Sequence, residues 1–262
     1  MLLYIFTFLV VIFLISPIIV LVPISFTSLS YFKFPPPSFS TQWYNSFVQN
    51  DEWLKSFFKS LELSCVVVIL SVIIGTIAAL AVSRVNFKFK KAFMALMVTP
   101  MIIPIVIIGV ALLNSFAKIG LNDTMIGLII AHTLIAVPIV FVTVMSGLKG
   151  LDKNIELAAE GLGSTEIRVF FKIILPQLKS SMLSACLFAF ITSFDEVSVT
   201  LFLAGTKTKT LPVAMWETMR TELTPTLAAV SCILILLTII ILAVQNIFNY
   251  RLKNKYTCSS NK

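Results

Sequence analysis

Long apolar runs constrain this chain more than any other feature of its sequence. Each run has about the 20 residues that an α-helix needs to cross the hydrocarbon core of a bilayer. Lipid offers no partner to open backbone N–H and C=O groups, so such runs must be helical. The sequence therefore predicts an all-α integral membrane protein with six transmembrane helices. The six runs lie at about 3–27, 61–83, 93–117, 124–146, 180–204 and 226–247.

The composition agrees with a membrane location. Charged residues make up 12% of the chain and hydrophobic residues 58%, whereas soluble domains are about one quarter charged. So few charges cannot cover the surface of a water-soluble globule. The first run has no basic segment before it and is too long for a secretory signal, so we expect a membrane helix there.

Lysine and arginine are distributed unevenly among the segments that join the runs. Thirteen of the 20 fall in 84–92, 147–179 and 248–262. Because cytoplasmic loops carry the excess of positive charge, both termini are predicted to be cytoplasmic. This asymmetry accounts for the net charge of +8. We therefore expect the chain to contact membrane lipid and to bind no nucleic acid. We divide the chain into a first helix with an extracytoplasmic segment (1–60), a transmembrane core (61–247) and a basic cytoplasmic tail (248–262).

The segment at 155–176 reads IELAAEGLGSTEIRVFFKIILP and differs from the rest of the chain in its charges and glycines. Gly163 suits the left-handed residue that ends a helix, and Ser164 or Thr165 can cap a second helix that runs to Leu175. The pattern predicts a rigid cytoplasmic hairpin between spans four and five, although a loop could also fold locally without any partner. The first helix of this hairpin is predicted from four apolar residues that recur at the spacing of one helix face: Ile155, Ala158, Ala159 and Leu162.

This hairpin resembles the EAA loop of ABC importer permeases of the MetI-like type, whose pattern is E-A-A, three residues, G, nine residues and I-x-L-P. The motif glutamate is replaced by Leu157, and Glu156 is the nearest acid. Downstream, SFDEVSVTLFLAG (193–205) and TLPVAMWETMR (210–220) resemble the spermidine/putrescine branch of that family. The loop positions that match are Ala158, Ala159, Gly163, Ile173, Leu175 and Pro176.

The resemblance implies a permease subunit without enzymatic activity, located in the bacterial cytoplasmic membrane. Its implied partners are a cytoplasmic ABC ATPase dimer, a second permease that we expect to be a paralogue, and an extracytoplasmic solute-binding protein. The chain has no G-x-x-x-x-G-K-[ST] loop, so we expect no cofactor in it and ATP to be bound by the ATPase. The implied ATPase-coupling residues are Glu156, Ala158, Ala159, Leu162, Gly163, Ile173, Leu175 and Pro176.

Two consecutive carboxylates, Asp195 and Glu196, fall in the fifth run near Thr192 and Ser198. Acidic residues inside a membrane usually face protein or a water-filled path, and carboxylates with hydroxyls suit a cationic amine. We therefore interpret these four residues as a candidate substrate path. Alternatives are a contact with another helix or permease, or an earlier end of the fifth span. His132 is the only histidine, so we expect packing or a polar helix contact there and no His-based metal site.

The resemblance, together with the acidic pair, implies import of a polyamine such as putrescine or spermidine; iron, thiamine or an aminophosphonate are the alternatives that the same branch implies. An ion-coupled secondary transporter would predict inverted repeats with broken helices, and no clear repeat is visible. An intramembrane enzyme would need a nucleophile or metal motif that the sequence lacks.

Overall fold

A computed structural model describes residues 2–260, with side chains described for 3–248. Most side chains of the predicted basic tail, 248–262, therefore lie outside the described residues. A π-helical segment, Phe170–Ile174, connects two of the short helices. The helices are α1 (Leu2–Ser25), α2 (Gln42–Gln49), α3 (Asp51–Arg84), α4 (Lys90–Ile102), α5 (Ile105–Ile119), α6 (Met125–Lys149), α7 (Lys153–Gly161), α8 (Glu166–Val169), α9 (Leu175–Gln177), α10 (Lys179–Phe194), α11 (Thr200–Leu203), α12 (Leu211–Thr221) and α13 (Thr226–Ser260).

Four of these helices, α1, α3, α6 and α13, are long and apolar enough to cross a membrane. Two further candidates are bent pairs. The helices α4 and α5 meet at 99°, and the arm Glu166–Gln177 meets α10 at 78°. The described part of the chain therefore has four candidate spans, or six if each bent pair is one span.

Two of the predicted runs differ from the structure. The run at 93–117 is not one straight helix, because α4 ends at Ile102 and α5 begins after Pro104. Proline has no N–H and pushes the residue before it to extended backbone, and Ile103 has ψ 132°. The helix predicted over 180–204 is also wrong in its second half, because α10 ends at Phe194.

The chain forms two compact units. The first runs to Phe58 and includes Val213–Ala243. Within it, the segment after α1 folds back on the end of that helix: the hydroxyl groups of Ser25 and Tyr44 lie 2.7 Å apart, and the indole Nε1 of Trp43 donates to the carbonyl oxygen of Thr27 at 2.8 Å. These contacts give the predicted extracytoplasmic segment a fixed local structure.

The second unit is Lys59–Pro212 with the chain from Val244 onwards, and α6 lies in its core. Val140 and Val144 on this helix have no exposed surface. A Cβ at Gly147 would lie 2.3 Å from the hydroxyl oxygen of Ser181, so only glycine permits this close approach of α6 to α10. The same two helices enter and leave the hairpin.

Candidate functional site

The hairpin predicted from the sequence is present and begins at α7. The Asp152 carboxylate accepts a hydrogen bond from the Asn154 N–H at 2.9 Å, which caps the helix. At its other end, the N–H of Ser164 bonds to the carbonyl oxygen of Ala159 and that of Gly163 to Glu160. This is a Schellman motif, and Gly163 has the left-handed φ of 85° that it requires.

The return arm of the hairpin contains an irregular helix. The hydroxyl of Thr165 accepts from the N–H of Arg168 at 3.4 Å and caps α8. The N–H of Leu175 then bonds to the carbonyl oxygen of Phe170, five residues back. Pro176 follows and has no N–H to continue the helical ladder. The second helix was predicted to run to Leu175, and the arm instead continues to Gln177 through a π-helical segment.

Large apolar side chains project from this hairpin. Leu162 is 89% exposed, and Ile167 is 72% exposed. By contrast, Ala159 and Ile173 pack against the hydrophobic core, so the predicted apolar face of α7 is divided between core and surface. Exposed apolar side chains outside the core are candidates for a surface that another molecule covers. We name these exposed side chains the docking face: Leu157, Leu162, Ile167 and Phe171.

Glu156, which the resemblance implies as an ATPase-coupling residue, is buried in the hairpin. It is only 8% exposed. Its carboxylate accepts hydrogen bonds from the guanidinium of Arg84, at 2.8 Å from Nε to Oε2 and in a second short contact from Nη2 to Oε1. Arg84 could not be recognised from the sequence as the partner of Glu156, because the two residues are 72 positions apart.

The two consecutive carboxylates also separate. Asp195 follows the last residue of α10 and is exposed, and among the described residues no hydrogen bond to its carboxylate is seen. Glu196 is 7% exposed, and its carboxylate accepts from the N–H groups of Val199 and Thr200 at 3.0 and 3.1 Å. It therefore caps the short helix α11. The early end of the fifth span, one of the open alternatives, explains this arrangement.

A buried polar network connects α6 with this capped turn. The ring of His132 contacts the hydroxyl of Ser193 at 3.0 Å through Nδ1 and that of Thr200 at 2.9 Å through Nε2. Because Thr200 gives its one proton to Glu196, it accepts from Nε2, and Nδ1 accepts from Ser193. The predicted polar helix contact of His132 is confirmed.

A groove of about 600 Å³ lies between α6 and α10. Hydroxyl groups line its walls, and none of the lining side chains is charged. Thr192 and Ser198 of the predicted path are half-buried and do not line it. The hydroxyl residues that line it are Thr143, Ser146, Ser180, Ser181 and Ser184.

A second loop contact, which the sequence analysis also missed, involves Asp123. Its carboxylate accepts from the hydroxyl of Thr208 at 2.7 Å and from the N–H of Gly205 at 2.9 Å. These hydrogen bonds, that from Thr208 first, hold the pKa of the Asp123 carboxyl below its ordinary value. The contact ties the loop before α6 to the loop after α11. In the described part of the chain, no three metal-ligating side chains come together.

Comparison with known proteins gives a family. The family described as "Binding-protein-dependent transport system inner membrane component" matches residues 71–254. The spermidine/putrescine transport system permease protein PotC of Haemophilus influenzae is 31% identical over 242 residues, which cover 92% of this chain and 94% of that protein. The putrescine transport system permease protein PotI of Escherichia coli is 30% identical over 230 residues, covering 85% and 82%.

Solved structures show the same fold at lower sequence identity. A chain of a bacterial ABC transporter involved in the import of the acidic polysaccharide alginate has a TM-score of 0.74 at 14% identity, covering 97% of this chain and 95% of that chain. A chain of the MetNI methionine ABC transporter has a TM-score of 0.64 at 16% identity, covering 76% and 95%.

Proposed function

Because the chain belongs to the family of binding-protein-dependent transport system inner membrane components, we propose that it forms part of the membrane pathway by which an ABC importer takes up polyamines. Its own role is that of a permease subunit. The names of its relatives PotC and PotI support a polyamine substrate. The observation that carries the proposal within this chain is the exposed carboxylate of Asp195 between α10 and α11.

In this proposal the bent pair α4–α5 is one span and α10 is another, while the arm Glu166–Gln177 belongs to the cytoplasmic hairpin. Six spans then cross the bacterial cytoplasmic membrane, and both termini are cytoplasmic. The excess of lysine and arginine in 84–92, 147–179 and 248–262 supports this orientation. A second permease, expected to be a paralogue, completes the pathway. An extracytoplasmic solute-binding protein delivers the substrate.

The hairpin binds an ABC ATPase dimer, which supplies the ATP site. The docking face supports this assignment, because large apolar side chains such as Leu162 would otherwise lie in the aqueous cytoplasm. A short helix that lays its apolar side chains into a groove of a partner is a recurrent mode of protein recognition. The left-handed turn at Gly163 keeps the two arms of the hairpin in one orientation.

The substrate path uses Asp195 and the hydroxyl-lined groove between α6 and α10. A polyamine is a flexible chain of cationic amines, each of which needs hydrogen-bond acceptors when it leaves water. The Asp195 carboxylate provides a charge-assisted acceptor, and the groove provides hydroxyl oxygens. Glu196 has a structural role in this proposal, since its carboxylate is already occupied by Val199 and Thr200.

Purification of the tagged chain from its native membrane tests the partners. We expect an ABC ATPase and a second permease in stoichiometric amounts. Replacing Leu162 by Asp should weaken ATPase attachment by about ten- to a hundredfold, the worth of one buried leucine. Lys149→Gln, an exposed residue at the end of α6, is the matched control. A chain that never copurifies with an ATPase would contradict the proposal.

Uptake of labelled spermidine and putrescine into vesicles that contain the assembled importer tests the substrate. Asp195→Asn should raise the KM for the polyamine about tenfold through loss of a charge-assisted contact, with ATPase attachment unchanged. Glu196→Gln should lower the melting temperature of the importer instead, because it disturbs the cap of α11. If Asp195→Asn removes the ATPase while KM stays constant, the residue is structural and the path is wrong.

A further inference from the structure

An ion pair fixes the first helix of the hairpin to the end of a membrane helix. Arg84 is the last residue of α3, and Glu156 lies in the first turn of α7. Nε of Arg84 donates to Oε2 of Glu156 at 2.8 Å, Nη2 donates to Oε1, and Nη1 donates to the hydroxyl of Ser83 at 2.9 Å. The two side chains are 19% and 11% exposed.

A second bond supports this junction, and a cavity lies beside it. The ammonium group of Lys153 donates to the carbonyl oxygen of Ser83 at 3.2 Å. A largely apolar cavity of about 910 Å³ lies between the inner half of α3 and the hairpin. Ile77 on α3 and Phe170 on the return arm both line it. Apolar packing between these elements is reduced there, so the polar bonds at the end of α3 carry much of their connection.

We propose that the Arg84–Glu156 pair makes α3 and α7 one rigid body, so that displacement of the hairpin by the ATPase moves α3. Arg84 is thus a positioning residue for energy coupling, although it belongs to neither the docking face nor the substrate path. The inference rests on the proposed function in one respect, which is that an ATPase docks on the hairpin. It also gives Glu156 a role within this chain instead of at the ATPase surface.

The chemistry of the pair suits this role better than apolar packing would. A bidentate guanidinium–carboxylate contact fixes both distance and orientation, whereas apolar side chains can slide past one another at little cost. Removing one member leaves the other charge buried without compensation, which makes separation of the pair unfavourable. The junction therefore persists while the hairpin is displaced.

The ratio of ATP hydrolysed to polyamine imported tests the inference in vesicles with the assembled importer. Arg84→Gln and Glu156→Gln should each raise this ratio by about 2- to 30-fold, the usual range for residues that carry coupling. The exchange Arg84→Glu with Glu156→Arg should return the ratio towards that of the wild type, and Lys149→Gln should leave it unchanged. A merely structural pair would lower the amount of folded importer without changing the ratio, and that result would overturn the proposal.

A distance measurement tests the same inference without any transported substrate. Spin labels are placed at Ile69 on α3 and Asn154 on α7, both exposed, in a variant without other cysteines. Their separation should be equal in the nucleotide-free and ATP–vanadate states, and should differ between the states once Arg84→Gln is added. A separation that changes in the parent, or stays constant in Arg84→Gln, would overturn the rigid junction. Absence of the ATPase from the parent complex would instead contradict the proposed function.

Discussion

Replacing Gly163 by alanine measures how much the left-handed backbone angle at this position matters for the stability of the hairpin turn. Gly163 has φ 85°, and no atom lies within 4 Å of the position that a Cβ would take. The added methyl group therefore meets no neighbour, and the cost is confined to the backbone. The left-handed conformation costs an L-residue about 1–2 kcal/mol. This cost corresponds to an increase of about 5- to 30-fold in the population of the opened turn.

Hydrogen exchange of the assembled importer, measured on peptides from 153–177, is the direct assay. Gly163→Ala should reduce amide protection by that factor, whereas Gly163→Asn should cost less because asparagine tolerates the left-handed region. Gly161→Ala is a matched control. Gly161 ends α7, also has open space around it and does not have a positive φ, so alanine there should stabilise the helix by about 0.5–1 kcal/mol.

Equal protection in Gly163→Ala and Gly161→Ala would refute the argument, since only the backbone angle distinguishes the two sites. Gly163→Val should have the larger effect, because a β-branched residue fits the left-handed region poorly. It should also raise the ATP hydrolysed per polyamine imported while the chain still inserts in the membrane. Normal coupling in that variant would remove the turn from the mechanism.

Two further measurements concern buried and loop polar groups. His132→Leu leaves the hydroxyl of Ser193 without its partner, while Thr200 still donates to Glu196. The change should destabilise the importer by about 1–3 kcal/mol, and an unchanged melting temperature would argue against the network. Hydrogen bonds, that from Thr208 first, lower the pKa of the Asp123 carboxyl in the folded protein. These hydrogen bonds therefore stabilise the fold at pH values above the pKa that Asp123 has in the unfolded chain. That stability is lost as the pH falls through the lower folded-state value. Between about pH 6 and pH 3 the melting temperature should therefore fall more in the wild type than in Asp123→Asn, and parallel curves would contradict this.

The hairpin could be predicted from the sequence because its determinants are local. Helix periodicity over four apolar residues, together with Gly163 just beyond the helix, is sufficient to specify α7 and its end at Gly161. The four uninterrupted membrane helices were predictable for the same reason, since hydrophobicity over about 20 residues decides them. Each of these signals lies within one segment of chain.

The breaks inside apolar runs were harder to predict. Residues on both sides of Pro104 are apolar, so the composition of the run contains no sign of a 99° bend. Membrane helices often tolerate proline as a mild kink, and the sequence does not distinguish a kink from a break. After Asp195 and Glu196 apolar residues resume at Val197 and Val199, which concealed the end of α10.

The replacement of the motif glutamate by Leu157 shows how a long-range contact changes the meaning of a local pattern. Neighbouring residues on an α-helix are separated by about 100°, so residues 156 and 157 point in different directions. Leu157 is 62% exposed and belongs to the docking face, whereas Glu156 is 8% exposed and pairs with Arg84. In the linear sequence, the loop has no acid at the motif position. In three dimensions the acid is retained one position earlier, where it joins the hairpin to α3, and the surface left for a partner is correspondingly more apolar.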